Sequence, residues 1–295
     1  MTTPGFTFGV NIGEARTAEQ VRRAAIDAEA AGFDALTVAD HVGHTAPFAI
    51  LAAAAMVTSR IRLRTYVLDV AFWNPGLLAR EAATVDALSG GRLDLGLGAG
   101  HMRDEHEDIG IRFLPLADRI STMAATIKDV RRRLADSDHR PSAVQQPIPL
   151  VVGAMSAAGL EVAAREADVV ALSGLLQVPG ERAGTFTVAS AAATDERLAQ
   201  VRRVAGARRP ALDALLQHVI VDRPPEQAAA EFAERVAGRM TVEQLLDTPF
   251  FLFAPSVTAA AEELVRRHER WGITSWSTHA ASGPALSAVM AELRG

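Results

Sequence analysis

Cysteine is absent from this sequence of 295 residues, and lysine occurs once. Without cysteine, the chain can form no disulfide bond, no thiolate nucleophile and no cysteine-ligated metal site. Acidic residues outnumber basic ones, 35 to 30, and the formal net charge of −5 offers no electrostatic footprint for nucleic acid. The basic clusters at 128–133, 202–203 and 208–209 lie among acidic residues in helical stretches, where solvated helix faces explain them.

Long hydrophobic runs are also missing. The apolar stretch 49–57 is far shorter than the roughly 20 residues that a helix needs to cross a bilayer. Residues 1–10 lack the pattern of a signal peptide, which is a basic region followed by an apolar one. We therefore expect a cytoplasmic protein that binds neither membrane nor nucleic acid.

What the sequence does contain is a repeated alternation of short apolar strands and helices. Hydrophobic residues make up 49% of the chain, enough to bury a full core. The strand-like segments are 6–12, 34–38, 61–68, 92–98, 148–152, 168–172, 212–221 and 273–277. About eight βα units in a chain of this length predict an α/β fold, a (β/α)8 TIM barrel, rather than a doubly wound sheet. Because no linker divides the chain, we expect a single domain over residues 1–295.

Two segments do not fit this alternation. Residues 173–194 are rich in Gly, Ala, Ser and Thr, which predicts a mobile loop over the site before a helix at 195–205. Residues 250–253 form an apolar piece too short to place. Elsewhere the helix starts are well marked, with capping boxes at Thr17-x-x-Gln20 and Thr241-x-x-Gln244.

The stretch 74–110 combines a helix, a tight turn, a buried strand and the glycine run GLGAG. Gly96 and Gly98 match the start of a dinucleotide-binding fingerprint, but His101 stands where its third glycine belongs. The preferred interpretation is a loop at the catalytic face of a barrel, which carries His101 into a cofactor pocket.

Other polar residues also fall where predicted strands end, which is the catalytic end of such a barrel. After the fifth strand, Gly153 and Ala154 leave the backbone open, and a helix capped by Ser156 points its N–H groups at any bound anion. A plain helix cap explains Ser156 equally well. The remaining strand-end residues are Asn11, Asp40, His41, Thr65, Tyr66, Asp69, Asp104, Glu105 and Ser173.

Histidine supplies the candidate acid–base groups, since it titrates near neutral pH. His41 and His101 are the two that fall at strand ends. His44 and His106 raise a metal site as an alternative, but the His-x-His pair usual on the first strand of barrel metallohydrolases is missing, and we expect no metal. The acidic run 104–108 predicts solvated surface, and Trp73 suits either the core or a pocket wall.

Four motifs together resemble one family, the bacterial luciferase-like flavin and deazaflavin oxidoreductases. They are ADH (39–41), APFAILAAAAMVTSRIRLRTYVLD (46–69), NPGLLAREAATVDALSGGRLDLGLGAGH (74–101) and IPLVVGA…AAREADVVAL (148–172). The resemblance covers nearly the whole chain. The run GAGH, followed by an acidic stretch and GIRF, is most similar to the branch that uses coenzyme F420.

This resemblance implies a luciferase-like barrel with inserted segments, usually a homodimer, that holds the ring of the coenzyme in the barrel mouth. His41 would handle a proton, and Asp40 beside it would help to hold the coenzyme. The third strand would end in a bulge, often with a non-proline cis peptide, and two further strand exits would contact the coenzyme. The residues implied are Thr65, Tyr66 and Val67 at the bulge, Ala99, Gly100 and His101 after strand four, and Gly153, Ala154, Met155 and Ser156 at the phosphate.

The expected function is therefore an F420-dependent oxidoreductase that moves hydride between a bound deazaflavin and a small organic substrate. His41 and His101 would be its proton partners. His101 stands where some related dehydrogenases carry a glutamate, so we do not expect sugar-phosphate oxidation by their mechanism. The alternatives are an FMN-dependent monooxygenase of the same fold, supplied by a cofactor-reducing partner enzyme, and a flavin-binding protein without turnover.

Overall fold

The computed structural model describes residues 5–236 and 240–295. Residues 1–4, part of the segment searched for a signal peptide, lie outside this range. Within it the strands are β1 (Thr7–Asn11), β2 (Ala35–Val38), β3 (Arg62–Thr65), β4 (Leu68–Asp69), β5 (Leu93–Gly98), β6 (Leu150–Gly153), β7 (Val169–Leu172), β8 (Leu175–Gln177), β9 (Phe186–Val188), β10 (Ala211–Leu216), β11 (His218–Ile220), β12 (Phe251–Phe253) and β13 (Ser275–His279).

Helices follow most of these strands. They are α1 (Ala18–Ala30), α2 (Pro47–Ala55), α3 (Pro75–Ser89), α4 (Arg103–Asp108), α5 (Leu116–Ala135), α6 (Ala157–Glu166), α7 (Ala191–Ala205), α8 (Pro225–Arg235), α9 (Val242–Asp247), α10 (Val257–Trp271) and α11 (Gly283–Arg294). Both predicted capping boxes form: the side chains of Thr17 and Thr241 each accept from the backbone three residues on. Such caps satisfy N–H groups that the helix itself leaves unpaired.

The parallel strands close into a barrel with eight strand positions, which are called staves below. This confirms the predicted TIM-barrel class. The hydrogen-bonded order is β3-β2-β1-β13-β10-β7-β6-β5-β4, and β3 also pairs with β5, so that β3 and β4 act as one interrupted stave. The first and last staves pair over their full length, from Thr7 opposite Ser275 to Asn11 opposite His279. The C-terminal ends of all staves therefore meet at one end of the barrel, called the mouth below.

The main hydrophobic core lies between the barrel and its helices, where Phe8, Leu36 and Trp276 are almost fully buried. The barrel interior instead holds a polar group, called the floor cluster below. Because side chains alternate along a strand, Asp213, Ser275 and Ser277 all point inward, in the first half or middle of their staves. The floor cluster consists of Arg64, Tyr66, Asp94, Asp213, Ser275 and Ser277.

Three sequence predictions need correction. Residues 173–194 are no unstructured loop: β8 and β9 pair as an antiparallel hairpin, and α7 begins at Ala191 rather than at Asp195. The predicted strand 212–221 is divided, because the chain turns at Gln217 and β11 leaves the barrel to pair with β12. β12 lies within the apolar piece 250–253, which the sequence could not place. It forms a strand because it pairs with β11, a segment distant in sequence.

No helix in the described part of the chain is both long enough and apolar enough to cross a membrane.

Candidate active site

The mouth brings His41 and His101 together, as the sequence predicts for two strand-end residues. Their ring centroids lie 5.7 Å apart, edge to face, and His44 lies 5.6 Å from His41 on another side. His41 follows β2 and His101 follows β5, so that neighbouring loops of the mouth supply the two rings. Two imidazoles this close can act on one bound molecule.

Glu105 forms a close pair with His41, and our expectation that the whole acidic run is solvated surface is wrong at this residue. The Oε1 atom of Glu105 lies 2.7 Å from Nδ1 of His41, and Oε2 accepts from the backbone N–H of Val42 at 3.4 Å. A carboxylate can only accept, so Nδ1 carries a proton, and the uncharged form of the ring has its lone pair on Nε2. The pair thus fixes the tautomer of His41.

His101 is held differently. Its ring packs edge to face against Phe186 of the β8–β9 hairpin, with the centroids 5.4 Å apart. Although His101 is exposed, the protein around the mouth desolvates the ring and lowers its pKa to about 4, and the nearby His41 acts in the same direction. His101 is therefore neutral at physiological pH and can donate or accept a hydrogen bond without carrying charge.

Asp40 receives a hydrogen bond from the indole of Trp73, Nε1 to Oδ2, at 2.9 Å. Trp73 in turn packs edge to face on Phe48, 5.2 Å between centroids, so it forms part of the wall behind Asp40. Burial raises the pKa of Asp40, although the bond from Trp73 opposes that effect. Of the two interpretations of Trp73 left open by the sequence, the structure favours the wall.

The third stave breaks at a cis peptide between Tyr66 and Val67, as the family resemblance implies. Of the three residues predicted at this break, Val67 is the one whose side chain lies at the mouth, over the last residues of two neighbouring strands. A Cβ added to Gly98 or Gly153 would lie 2.7 Å or 2.9 Å from a methyl group of Val67. The two glycines thus leave the space that Val67 fills.

Thr65 and Tyr66 turn their side chains elsewhere. The Thr65 hydroxyl donates to Gly96 O at 2.9 Å and accepts from Gly96 N at 2.7 Å. The hydroxyl of Tyr66 donates to Asp213 in the floor cluster at 2.6 Å. Either residue could therefore meet a coenzyme only through its backbone.

The exit of the fourth stave is held by Asp69, one of the predicted strand-end residues, and by Arg119, which the sequence alone did not indicate. Gly100 has φ +70°, and a Cβ there would lie 1.9 Å from Oδ2 of Asp69. Arg119 of α5 donates to the carbonyls of Ala99, at 3.2 Å, and of Gly100. Glycine is thus required at 100 by both conformation and contact, and Arg119 holds the segment that carries His101.

His106 lies behind this segment and does not reach the mouth. It is almost fully buried between Phe72 and Phe113, each 5.0 Å away, and its Nε2 lies 3.4 Å from Asp69. His106 therefore does not join His41, His44 and His101 as the metal alternative would require. Among the residues that the structure describes, no three His, Asp or Glu side chains are placed to hold a metal ion.

The exit of the fifth stave leads into α6, a helix of ten residues. Ser156 caps it by accepting from Gly159 N at 3.2 Å, while Ala154 N donates to Ala171 O at 3.1 Å. Arg197 of α7 lies beside this turn, its Nε donating to Met155 O at 3.0 Å. A helix N-terminus next to a guanidinium group suits an anion. Sequence reasoning missed Arg197, because nothing local marks a contact across 42 residues.

Two further residues escaped the sequence analysis. His279 ends β13 at the mouth, but the predicted strand stopped at Ser277. Phe186 reaches His101 from the hairpin, whose Arg182 also pairs with Asp104 of α4. Extending the alternation of β13 by one step would have found His279, whereas the hairpin contact has no signal in the sequence.

The remaining predicted strand-end residues have local partners. Asn11 accepts from Gly13 N at 2.7 Å, Asp69 accepts from Ala71 N at 3.0 Å, and Ser173 accepts from Leu175 N at 3.3 Å.

Fold and mouth together define a TIM-barrel protein with two neighbouring histidines at the C-terminal ends of its strands. The family model for luciferase-like monooxygenases matches residues 4–286, and the chain belongs to that family. The F420-dependent glucose-6-phosphate dehydrogenase of Segniliparus rotundus is 30% identical over 207 residues, or 61% of this chain and 59% of that protein. The chain thus spans three fifths or less of the length of the curated relatives it matches.

Solved structures share the fold over almost the whole chain. An F420-dependent secondary alcohol dehydrogenase in complex with an F420–acetone adduct superposes with a TM-score of 0.76 at 16% identity, covering 98% of this chain and 99% of the other. The monooxygenase RslO1 from Streptomyces bottropensis superposes with a TM-score of 0.72 at 20% identity, covering 97% and 98%. At these identities the likeness concerns the fold alone.

Proposed function

We propose that this protein is an oxidoreductase that uses coenzyme F420 and moves hydride between that coenzyme and a small organic substrate. The observation that carries the proposal is the His41–Glu105 pair at the mouth, 2.7 Å from nitrogen to oxygen. The names of relatives support the choice of coenzyme, since one is an F420-dependent dehydrogenase at 30% identity. The membership of the family supports redox chemistry in general.

The role of His41 follows from its tautomer. With Nδ1–H donated to Glu105, the Nε2 lone pair is free to accept the proton of a substrate hydroxyl. The imidazolium that forms is stabilised by the adjacent carboxylate, and it can return the proton in the reverse direction. His101, neutral because its pKa is lowered to about 4, can orient the same oxygen by a hydrogen bond.

The residues present fit a coenzyme with an anionic group. The positive end of α6 and Arg197 would bind a phosphate beside Gly153 and Ala154, although Met155 adds bulk at this turn. Val67 would provide an apolar surface for a ring. A bound deazaflavin would supply the hydride acceptor or donor, and the protein would contribute orientation and a proton partner.

The test is the variant His41→Asn, which removes the proton acceptor with a small change in volume. We expect turnover to fall about 10²- to 10⁴-fold, the usual contribution of a general base, with unchanged coenzyme affinity. His139→Asn, in the loop before β6 at the opposite end of the barrel, is the matched control. An undiminished rate in His41→Asn would remove His41 from the mechanism.

Coenzyme choice is tested separately by fluorescence titration of the purified protein with F420 and with FMN. Tight binding of F420 alone supports the proposal. Preference for FMN would favour a two-component monooxygenase, a chemistry found among proteins of this fold. Binding of neither would contradict the proposal at its first step.

A further inference from the structure

The half of the mouth opposite His101 carries a second polar set, formed by Gln217 and His279. The placement of His279 follows from strand alternation. Ser275 and Ser277 point into the barrel toward Asp213, so His279, two residues further along β13, points to the same side at the mouth. Gln217 is the first residue after β10, and its amide lies beside His279.

The orientation of the Gln217 amide is fixed by its neighbours. Its Nε2 donates to the backbone carbonyl of Ser173 at 2.7 Å, and a carbonyl can only accept. The other amide atom, Oε1, is therefore the one that lies 3.3 Å from Nε2 of His279. Since Oε1 is also only an acceptor, Nε2 of His279 must carry the hydrogen.

The state of His279 follows from this bond. A neutral imidazole with its hydrogen on Nε2 has its lone pair on Nδ1. Desolvation by the surrounding protein lowers the pKa of His279, Glu14 opposes this effect, and the nearby His41 adds to it. His279 is thus neutral near pH 7, with its hydrogen on Nε2. In His41 the hydrogen bond to Glu105 places a hydrogen on Nδ1 instead.

We propose that Nδ1 of His279 accepts a hydrogen bond from a substrate hydroxyl other than the one that reacts at His41. The substrate class is then a small molecule with at least two hydroxyl groups, of which one is oxidised and the other fixes the orientation. This assignment rests on the proposed oxidoreductase function, while the tautomer itself does not. His279 is a specificity-determining residue here, and Gln217 positions it.

The tautomer is tested by long-range ¹H–¹⁵N NMR of the full chain near pH 7, with the His279 signals assigned by their loss in His279→Asn. We expect the Nε2–H form in the wild type and a mixture of tautomers in Gln217→Leu. Adding propane-1,2-diol should shift the Nδ1 signal, whereas propan-2-ol at the same concentration should not. An Nδ1–H form, or no response to the diol, would overturn the inference whether or not the protein has turnover.

A pair of variants tests specificity in kinetics with F420. His279→Asn keeps an acceptor oxygen near the position of Nδ1, while His279→Gln places its amide near the position of Nε2. We expect the wild type to favour the diol over propan-2-ol by about 5- to 10-fold in kcat/KM, the value of one neutral hydrogen bond. The Asn variant should keep that preference, and the Gln variant should lose it.

The two experiments separate the two claims. Turnover of both alcohols without any preference for the diol would overturn the role of His279 and leave the oxidoreductase standing. Absence of turnover together with the diol-dependent shift of Nδ1 would support the hydroxyl site and count against the oxidoreductase.

Discussion

The floor cluster and the mouth both contain polar and ionisable side chains, yet they differ in how completely these are bonded. Asp213 is fully buried and accepts from Tyr66 at 2.6 Å, from Ser277 at 3.0 Å, from Arg64 at 3.2 Å and from Ser275. At the mouth, His41 and His279 each have one ring nitrogen bonded within the protein. Complete bonding stabilises the barrel. At the mouth, the function we propose uses the second ring nitrogen of each histidine to bind a ligand.

Tyr66 and Val67 show the boundary between the two regions. The Tyr66 side chain belongs to the floor cluster, where burial and the charge of Asp213 raise its pKa well above the ordinary value. The next residue, Val67, packs at the mouth against the space left by Gly98 and Gly153. The peptide between them thus joins a fixed interior to the site.

The largest effect is expected from Asp213→Ala, which tests whether complete bonding in the floor cluster stabilises the barrel. Removing the carboxylate leaves the hydroxyls of Tyr66 and Ser277 and part of the Arg64 guanidinium without acceptors in a buried place. We expect the free energy of unfolding to fall by about 3–5 kcal/mol, as for other broken buried ion pairs. Urea unfolding followed by circular dichroism measures it.

The control is Asp27→Ala on α1, an exposed position where the change should stay within about 0.5 kcal/mol. If Asp213→Ala cost no more than Asp27→Ala, the floor cluster would not stabilise the barrel. The distinction between a bonded interior and a functional mouth would then fail.

The second prediction concerns the mouth and should affect rate rather than stability. Glu105→Gln keeps the shape of the side chain and an acceptor for Nδ1 of His41, but it removes the charge that stabilises the imidazolium. We expect kcat to fall about 10²-fold, at the low end for loss of general-base assistance, with the coenzyme Kd and Tm unchanged.

Glu107→Gln is the matched control. Glu107 lies on the same helix as Glu105, but it pairs with Arg103 and Arg182 and not with His41. Equal rates in the two variants would show that the charge of Glu105 has no part in turnover.

The barrel and several of its helix starts were predictable because they depend on local patterns. Alternating strands and the Thr17 and Thr241 capping boxes each act over a few residues, and all form. The errors in the fold arose where pairing partners are distant. The strand 251–253 exists because β11 lies beside it, and the hairpin forms in a segment whose composition indicated a loop.

The site was predictable in its histidines and not in their partners. His41 and His101 follow strands, so position alone suggested them. Glu105 was assigned to an acidic run of solvated residues, because sequence gives no sign that one carboxylate of four turns inward to a residue 64 positions away. Arg119 and Arg197 were missed for the same reason, since each contacts a strand exit through tertiary packing.

The smallest effect is expected at a third carboxylate, Glu29, which is bonded mainly to backbone N–H groups. Its Oε1 accepts from the N–H groups of Ser59, Arg60 and Ile61 at 2.9, 2.7 and 2.9 Å. Burial acts to raise the pKa of Glu29, but these three bonds outweigh it and lower the pKa from 4.5 to about 2.

A carboxylate whose pKa is lower in the folded state stabilises the fold above its unfolded pKa and loses that contribution as the pH falls. The contribution of Glu29 is therefore complete above about pH 4.5 and disappears as the pH approaches 2.

The whole shift would correspond to about 3 kcal/mol, which solvent screening near the surface reduces to about 1 kcal/mol. We expect Glu29→Gln to be less stable than the wild type by that amount at pH 7, with the difference shrinking between pH 4.5 and 2 in urea unfolding. A difference that stayed constant with pH would mean that the shape of the Glu29 side chain, and not its charge, stabilises this site. The hydrogen bonds to Glu29 would then stabilise the fold without the help of ionisation.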